Sequence, residues 1–521
     1  MSKSYEFVKG VLLMFIKVAS GAVLGVDGYI VDVEVDLVSG LPTFEIVGLP
    51  DSAVKESRER VRAAIRNTDY TFPVKRITVN LAPADIRKSG PAFDLPIAVG
   101  ILICMGLLEP AAAEGAFFAG ELSLDGAVRH VNGILPMALA AKAQGICALY
   151  VPAENAQEAS LVGGVKVYPV ESISDLVGHF TTKPILALDT DIAKLFRANE
   201  DTYNVDFADV AGQTLVKRAL EVAAAGYHNA LMIGPPGAGK TMLARRMPTI
   251  LPDLSLDESM EITKIYSIAG LLNQKGLLMA QRPFRTPHHT ASYISLAGGG
   301  RTPMPGEMSL AHNGVLFLDE LPEFQKKALE TMRQPLEDGH ITITRIGGVC
   351  TYPSIFLLLA TMNPCPCGYM GTERCNCTES EITRYLDKIS GPLLDRIDIQ
   401  VEATAVRYSE LSAKQRAAED SAIIKSRVEN ARARQQMRFK NESIYFNAKM
   451  PASLIDKHCK LGKDATELLR VVFDNMSLSA RAYHKILKIA RSIADLADSA
   501  DIMEAHVAEA ISYRGLDRKY W

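Results

Sequence analysis

A chain of 521 residues has room for about three or four domains, each with its own core. Its 48% hydrophobic and 22% charged residues exclude a disordered or fibrous protein, and no stretch reaches the ~18 continuous apolar residues of a membrane span. The net charge of −3 announces no global basic field, although a ring could still gather basic groups in a central channel.

Eight cysteines in so long a chain do not suggest a disulfide framework, and the expected compartment is the cytoplasm. The apolar run 11–16 follows Lys9 much as the core of a secretory leader would. Lys17 interrupts it and no small-residue cleavage site follows, so it reads as the approach to a first strand. Over 30–47, apolar and acidic residues alternate with period two around Ser39-Gly40, which predicts a β-hairpin. A helix is expected over 51–67 with Asp51 or Ser52 as N-cap, then a strand over 76–81 and an apolar helix over 95–107. Residues 117–131 hold a strand pair punctuated by glycines, 134–144 a helix, and 148–152 and 165–170 further strands. Residues 1–180 are therefore expected to form an α+β domain.

This domain resembles the Lon-protease-like fold. Lys88-Ser89-Gly90-Pro91-Ala92 is similar to the segment that carries the nucleophilic serine of Lon, and 120–133 to the segment before its lysine. The matching positions are Ala92 and Leu135, which offer neither a hydroxyl nucleophile nor an amine to activate it, and Ser89 is the nearest hydroxyl. The resemblance thus implies a scaffold or nucleic-acid platform, not a protease. Residues 181–203 mix Pro184, scattered charges and weak periodicity, and read as a linker or as a helix over 191–198 docked on the next domain.

Residues 204–405 contain the most specific stretch. The apolar run 230–233 leads into Gly234-Pro235-Pro236-Gly237-Ala238-Gly239-Lys240-Thr241 and then a helix-compatible segment, the setting of a P-loop. Successive N–H groups of such a loop converge on phosphate oxygens; Lys240 would neutralise the β- and γ-phosphates and the Thr241 hydroxyl would hold Mg²⁺. The partner motif is a buried strand over 315–318 ending in Asp319 and Glu320. Asp319 would reach Mg²⁺ and Glu320 would deprotonate the attacking water. A third strand, 355–360, ends near Asn363, whose amide could hold the same water.

These features resemble AAA+ ATPases. On that resemblance, the approach around Phe207, Val210 and Gln213 packs against adenine, and Asn363 is the sensor-1 residue. Arg396, just before a period-two strand, is an arginine finger aimed into a neighbouring subunit, so the protein would be an oligomer. Seventy-nine positions separate Lys240 from Asp319, which leaves room for an insert around 282–310. That insert carries His288-His289, whose side chains as neighbours are expected to point apart, and Gly298-Gly299-Gly300-Arg301. A second hairpin, 341–352, precedes the sensor strand. In helix-2-insert and pre-sensor-1 AAA+ motors such hairpins enter the central pore, which makes Arg345, then Arg301, candidates for contact with a phosphate backbone. Cys365-Pro366-Cys367 and Cys375-Asn376-Cys377 place four thiols on a short glycine-containing loop that could enclose a tetrahedral Zn²⁺, reduced unliganded thiols being the alternative.

From 406 to 521 no strand pattern survives. Helices are expected over 409–437, 464–475, 479–497 and from Asp501 to about Arg514, forming an all-α lid. In the third, Tyr483, Ile486, Leu487, Ala490 and Ile493 make one apolar stripe, and Arg481 occupies the sensor-2 position, expected to reach the γ-phosphate.

From about Met14 to the last helix, the chain resembles the ComM/YifB family of magnesium-chelatase-like AAA+ ATPases. The resemblance implies a homo-hexamer using ATP and Mg²⁺ to translocate on single-stranded or branched DNA. It also implies branch migration and helicase activity, with recombination factors, during homologous recombination in natural transformation. A magnesium-chelatase motor subunit shares the core and lid but is not expected to carry the front domain. An ATP-dependent Lon-like protease is disfavoured by Ala92 and Leu135.

Overall fold

A computed structural model describes residues 15–198, 203–272, 278–300, 303–345, 348–405, 419–476, 479–516 and 520. Two sheets organise the chain, and a helical region follows them.

The first sheet has seven strands, in the order Thr43–Val47, Arg76–Ala82, Asp27–Val38, Phe15–Leu24, Ala116–Phe118, Ala148–Pro152 and Lys166–Val170. The hairpin expected over 30–47 does not form. Asp27–Val38 pairs antiparallel with Phe15–Leu24 on one side and with Arg76–Ala82 on the other, and Thr43–Val47 lies parallel to Arg76–Ala82. The two segments do run antiparallel, but Arg76–Ala82 is inserted between them. Alternation marks a segment as a strand without naming its neighbour, and buried Ile77, Val79 and Leu81 suit that central place. Helix Ser52–Asn67 starts at Asp51, whose carboxylate accepts from Val54 N at 2.9 Å. Ala92 and Leu135 are both buried core residues.

The second sheet is parallel and has five strands, ordered Phe284–Arg285, Val315–Leu318, Leu357–Met362, Ala230–Ile233 and Ile399–Glu402. The sensor strand thus lies between the P-loop strand and the strand ending in Asp319. All four residues of Ala230–Ile233 and of Val315–Leu318 are buried, as a sheet covered on both faces requires.

The helical region does not form a separate core. Ile486, Leu487 and Ile493 of helix Ala480–Leu496 join one apolar cluster with Ala230 and Met232 of the P-loop strand and Val428 of helix Ser421–Arg438. The helix expected over 409–437 is described from Ser421 onward; residues 409–418 lie outside the described residues. The last helix is Glu504–Ser512, with Met503 rather than Asp501 at its N-cap.

The segment expected to link the two sheets contains the helix Ile192–Ala198, whose Ile192 and Leu195 pack against the first domain. That domain is tied to the second by helix Leu256–Ile268: Gly133 N donates to Ser267 O at 3.2 Å, and the buried Glu158 carboxylate accepts from Ser267 Oγ at 2.5 Å. No helix among the described residues is long and apolar enough to cross a membrane.

Candidate functional site

The parallel sheet brings the carboxyl ends of three adjacent strands together, where ligands of open α/β sheets sit. Strand Ala230–Ile233 runs into the glycine-rich turn, and helix Lys240–Ile250 starts at Lys240. Gly237 and Gly239 adopt φ of +78° and +79°, and a Cβ on either would meet nothing within 4 Å. The left-handed backbone thus opens a concavity before the helix N-terminus, suited to phosphate oxygens.

Inside it, the Lys240 ammonium donates to Gly234 O at 2.6 Å, Pro235 O at 3.0 Å and Asn363 Oδ1 at 3.1 Å. Burial pulls the Lys240 pKa below the ordinary lysine range, while Asp319 and Glu320 pull it back up. The Thr241 hydroxyl donates to Asp319 Oδ2 at 2.8 Å. Thr361 Oγ1 donates to the other oxygen of that carboxylate, and Glu320 N lies 3.1 Å from the same oxygen. A hydroxyl and a carboxylate in direct contact beside a buried lysine fit a shared Mg²⁺ next to a triphosphate: the cation would take the place of the hydrogen bond between them. Lys240, Thr241, Asp319, Glu320 and Asn363 therefore form one cluster. Gln213 closes its flank, donating from Nε2 to Ala238 O at 3.0 Å and Thr404 O at 2.6 Å.

His289 joins this cluster, and sequence reasoning missed it. Its Nδ1 lies 3.9 Å from Glu320 Oε2, and its ring faces that of His288 at 4.1 Å, so the two side chains do not point apart. The pattern gives no hint of the contact, because the insert doubles back across the sheet end only in three dimensions.

Arg396 and Arg481 lie elsewhere. Arg396 precedes strand Ile399–Glu402, and its carbonyl accepts from Asn229 Nδ2 at 2.8 Å, beside the start of the P-loop strand. Its guanidinium donates to Glu337 Oε1 at 2.5 Å and Arg333 O at 3.0 Å. Arg481, expected at the γ-phosphate, lies away from the P-loop of its own chain. Helix Ala480–Leu496 is docked at the amino ends of the strands, with Lys485 Nζ donating to Ile397 O at 3.0 Å and Ser492 Oγ bonded to His228 Nε2 at 2.8 Å. A four-residue strand, about 13 Å long, separates that end from the P-loop. Arg481 instead lies 3.7 Å from Asp395 and shares a cleft of 330 Å³ with Arg396, Lys449, Lys485 and Lys488.

The pre-sensor hairpin forms as expected, with His340–Arg345 antiparallel to Gly348–Pro353. Ile341, Ile343, Cys350 and Tyr352 bury its inner face, Val349 is exposed near the tip, and Arg345 stands opposite Gly348 in the register. Arg301 lies outside the described residues. Cys365, Cys367, Cys375 and Cys377 converge, with all four sulfurs within 4.8 Å of one another.

Family models match residues 206–411 (magnesium chelatase, subunit ChlI), 33–155 (subunit ChlI of Mg-chelatase) and 418–514 (magnesium chelatase, subunit ChlI C-terminal). The chain is 43% identical over 504 residues to the competence protein ComM of Haemophilus influenzae, which covers 96% of this chain and 97% of that protein. It is 42% identical over 499 residues to YifB of Escherichia coli, covering 95% of this chain and 96% of YifB. A magnesium-chelatase 67 kDa subunit of Chlorobaculum parvum is 26% identical over 164 residues, 31% of this chain and 23% of the subunit.

Proposed function

We propose that this chain, which belongs to the ComM and YifB family of magnesium-chelatase-like AAA+ proteins, is the subunit of a ring-shaped ATPase that moves along DNA. The observation that carries the ATPase is the cluster of Lys240, Thr241 and Asp319, in which the Thr241–Asp319 hydrogen bond of 2.8 Å supports a shared cation there. In this reading Lys240 and the loop N–H groups hold the β- and γ-phosphates, Thr241 and Asp319 hold Mg²⁺, Glu320 takes the proton of the attacking water, and Asn363 positions that water. Bound Mg²⁺ neutralises charge on the phosphates.

The DNA substrate rests on the likeness, over nearly the whole chain, to a relative named as a competence protein, and on the hairpin with Arg345 at its tip. The role is branch migration and helicase action in homologous recombination during natural transformation, by a cytoplasmic homo-hexamer working with recombination factors. The first domain is a non-proteolytic Lon-like platform: Ala92 and Leu135 carry no catalytic group, and both are buried. Zn²⁺ is assigned to the four clustered cysteines. Arg396 and Arg481, at the sheet end remote from their own P-loop, both serve the nucleotide of a neighbouring subunit; the cleft they share also carries Lys449, Lys485 and Lys488, against the carboxylates of Glu337, Asp395 and Asp398.

The deciding experiment is ATP hydrolysis with and without single-stranded or branched DNA across a salt titration. Stimulation that weakens steeply as salt rises is expected, because contacts to the phosphate backbone release counterions. Basal turnover that ignores every DNA and responds instead to a tetrapyrrole with partner subunits would transfer the chain to the chelatase reading. A response only to unfolded protein would transfer it to the protease reading.

A further inference from the structure

The chain between Asn363 and helix Glu379–Leu386 has no strand or α-helix of its own and is too short to bury a core, yet it gathers Cys365, Cys367, Cys375 and Cys377. The Cys365–Cys367, Cys365–Cys375 and Cys367–Cys375 sulfurs are 3.4, 3.9 and 3.7 Å apart. Zn–S bonds of about 2.3 Å set the sulfurs of a tetrahedral site about 3.8 Å apart. A disulfide needs about 2.05 Å, and each of these cysteines is a free thiol. Three of the sulfurs stand at the spacing of ligands around one ion, and that of Cys377 lies within 4.8 Å of them.

The loop is wedged against the nucleotide site at both ends. Cys365 lies two positions after Asn363, whose Oδ1 accepts from Lys240. Gly368, at φ +84°, sits so close to the P-loop that a Cβ there would lie 2.6 Å from Pro236 Cδ. After the second cysteine pair, the Thr378 capping box starts the helix that carries buried Tyr385, whose hydroxyl pairs with the backbone of Asn363. The cysteines therefore pin a turn that touches Pro236 and both flanks of the sensor residue.

We infer that these four cysteines bind one Zn²⁺ and that the resulting knuckle is the strut that holds Asn363 and Pro236 in place, so that nucleotide turnover depends on zinc. The second half of the inference rests on the ATPase reading above; the metal site itself does not. The zinc acts by position alone. Binding takes four thiolates and releases their protons.

Metal content of the purified, untagged full chain and its ATP turnover test the inference together. About one zinc per chain is expected. Cys375→Ser and Cys377→Ser should lose zinc and lower turnover about 10- to 100-fold, and Cys377→His, which restores a ligand, should recover both. Cobalt exchanged into the wild-type chain should give the absorption bands of a tetrahedral tetrathiolate. Gly368→Ala keeps all four thiols and presses on Pro236; it should keep zinc and lose turnover, which separates the strut from a general failure to fold. A chain whose eight cysteines are all reduced and that holds less than about a fifth of an equivalent of zinc, or one holding iron instead, overturns the metal site. Zinc-free serine variants that turn over ATP at the wild-type rate overturn the strut. Zinc content and the cobalt spectrum are read without nucleotide, so a wild-type chain that holds zinc and hydrolyses no ATP would sink the ATPase reading while leaving the site standing.

Discussion

Glu320 occupies left-handed backbone, φ +54°, as few residues other than glycine do. Such a conformation costs on the order of 1–3 kcal/mol and persists only where neighbours over-determine it. Here its N–H faces both Asp319 Oδ1, at 3.1 Å, and Thr361 Oγ1, at 3.3 Å. The strain turns the carboxylate out of the strand line, into the space beside the P-loop. Glu320→Gln should keep the shape and the bound ATP but lose the base, lowering turnover by about 10²- to 10⁴-fold. Nucleotide retention measured beside phosphate release checks this, and retained turnover would remove the assigned role. Lys240→Ala should fail at the earlier step and show no nucleotide binding by titration calorimetry. His289, 3.9 Å from Glu320, belongs to the insert that precedes Asp319 in the chain. It can hold the carboxylate back until the insert moves. His289→Ala is accordingly expected to raise basal hydrolysis and to shrink the increment produced by DNA; an unchanged ratio of the two rates would show that the contact is idle.

At the scale of elements, what the sequence reveals depends on whether the information is local. The P-loop was legible because turn, lysine and hydroxyl are contiguous and have one physical use. The strand ending in Asp319-Glu320 was legible because four apolar residues followed by two carboxylates suit a buried strand end. Partnership was not local: nothing in 30–47 could reveal that Arg76–Ala82 would intrude between its two strands. Arg481 was placed by its helix position, which fixes its turn but not the sheet end at which the helix docks. That docking comes from the apolar stripe of Ala480–Leu496, which shares its cluster with the P-loop strand. The lid is therefore part of the ATPase core in energetic terms. Ile486→Ala removes a fully buried side chain from the shared cluster and should cost about 2–5 kcal/mol. Hydrogen exchange should rise in Ala230–Ile233 as well as in the lid helix; acceleration confined to the helix would make the lid an independent unit.

For the whole molecule, the function proposed above implies that one chain holds two halves of a catalytic site at opposite ends of one sheet. Lys240, Thr241, Asp319 and Glu320 stand at the carboxyl ends of the strands, and Arg396 and Arg481 stand with Asp395 at the amino ends. Within the chain Arg396 is tied to Glu337, so an incoming phosphate must replace one carboxylate with a stronger anion. A surface that carries phosphate-binding groups at one end and cations at the other is heterologous, and repeated head to tail with the right rotation it closes into a ring. Each junction would then combine the P-loop of one subunit with the arginines of the next. This arrangement predicts complementation between two inactive proteins. Lys240→Ala keeps the arginine but not the nucleotide site, and Arg396→Ala keeps the nucleotide site but not the arginine. Mixed in equal amounts and allowed to exchange subunits, about a quarter of the junctions would pair an intact P-loop with an intact Arg396, and ATP turnover should reappear. If Arg396 served its own chain, every junction in the mixture would remain defective and the activity would stay at zero.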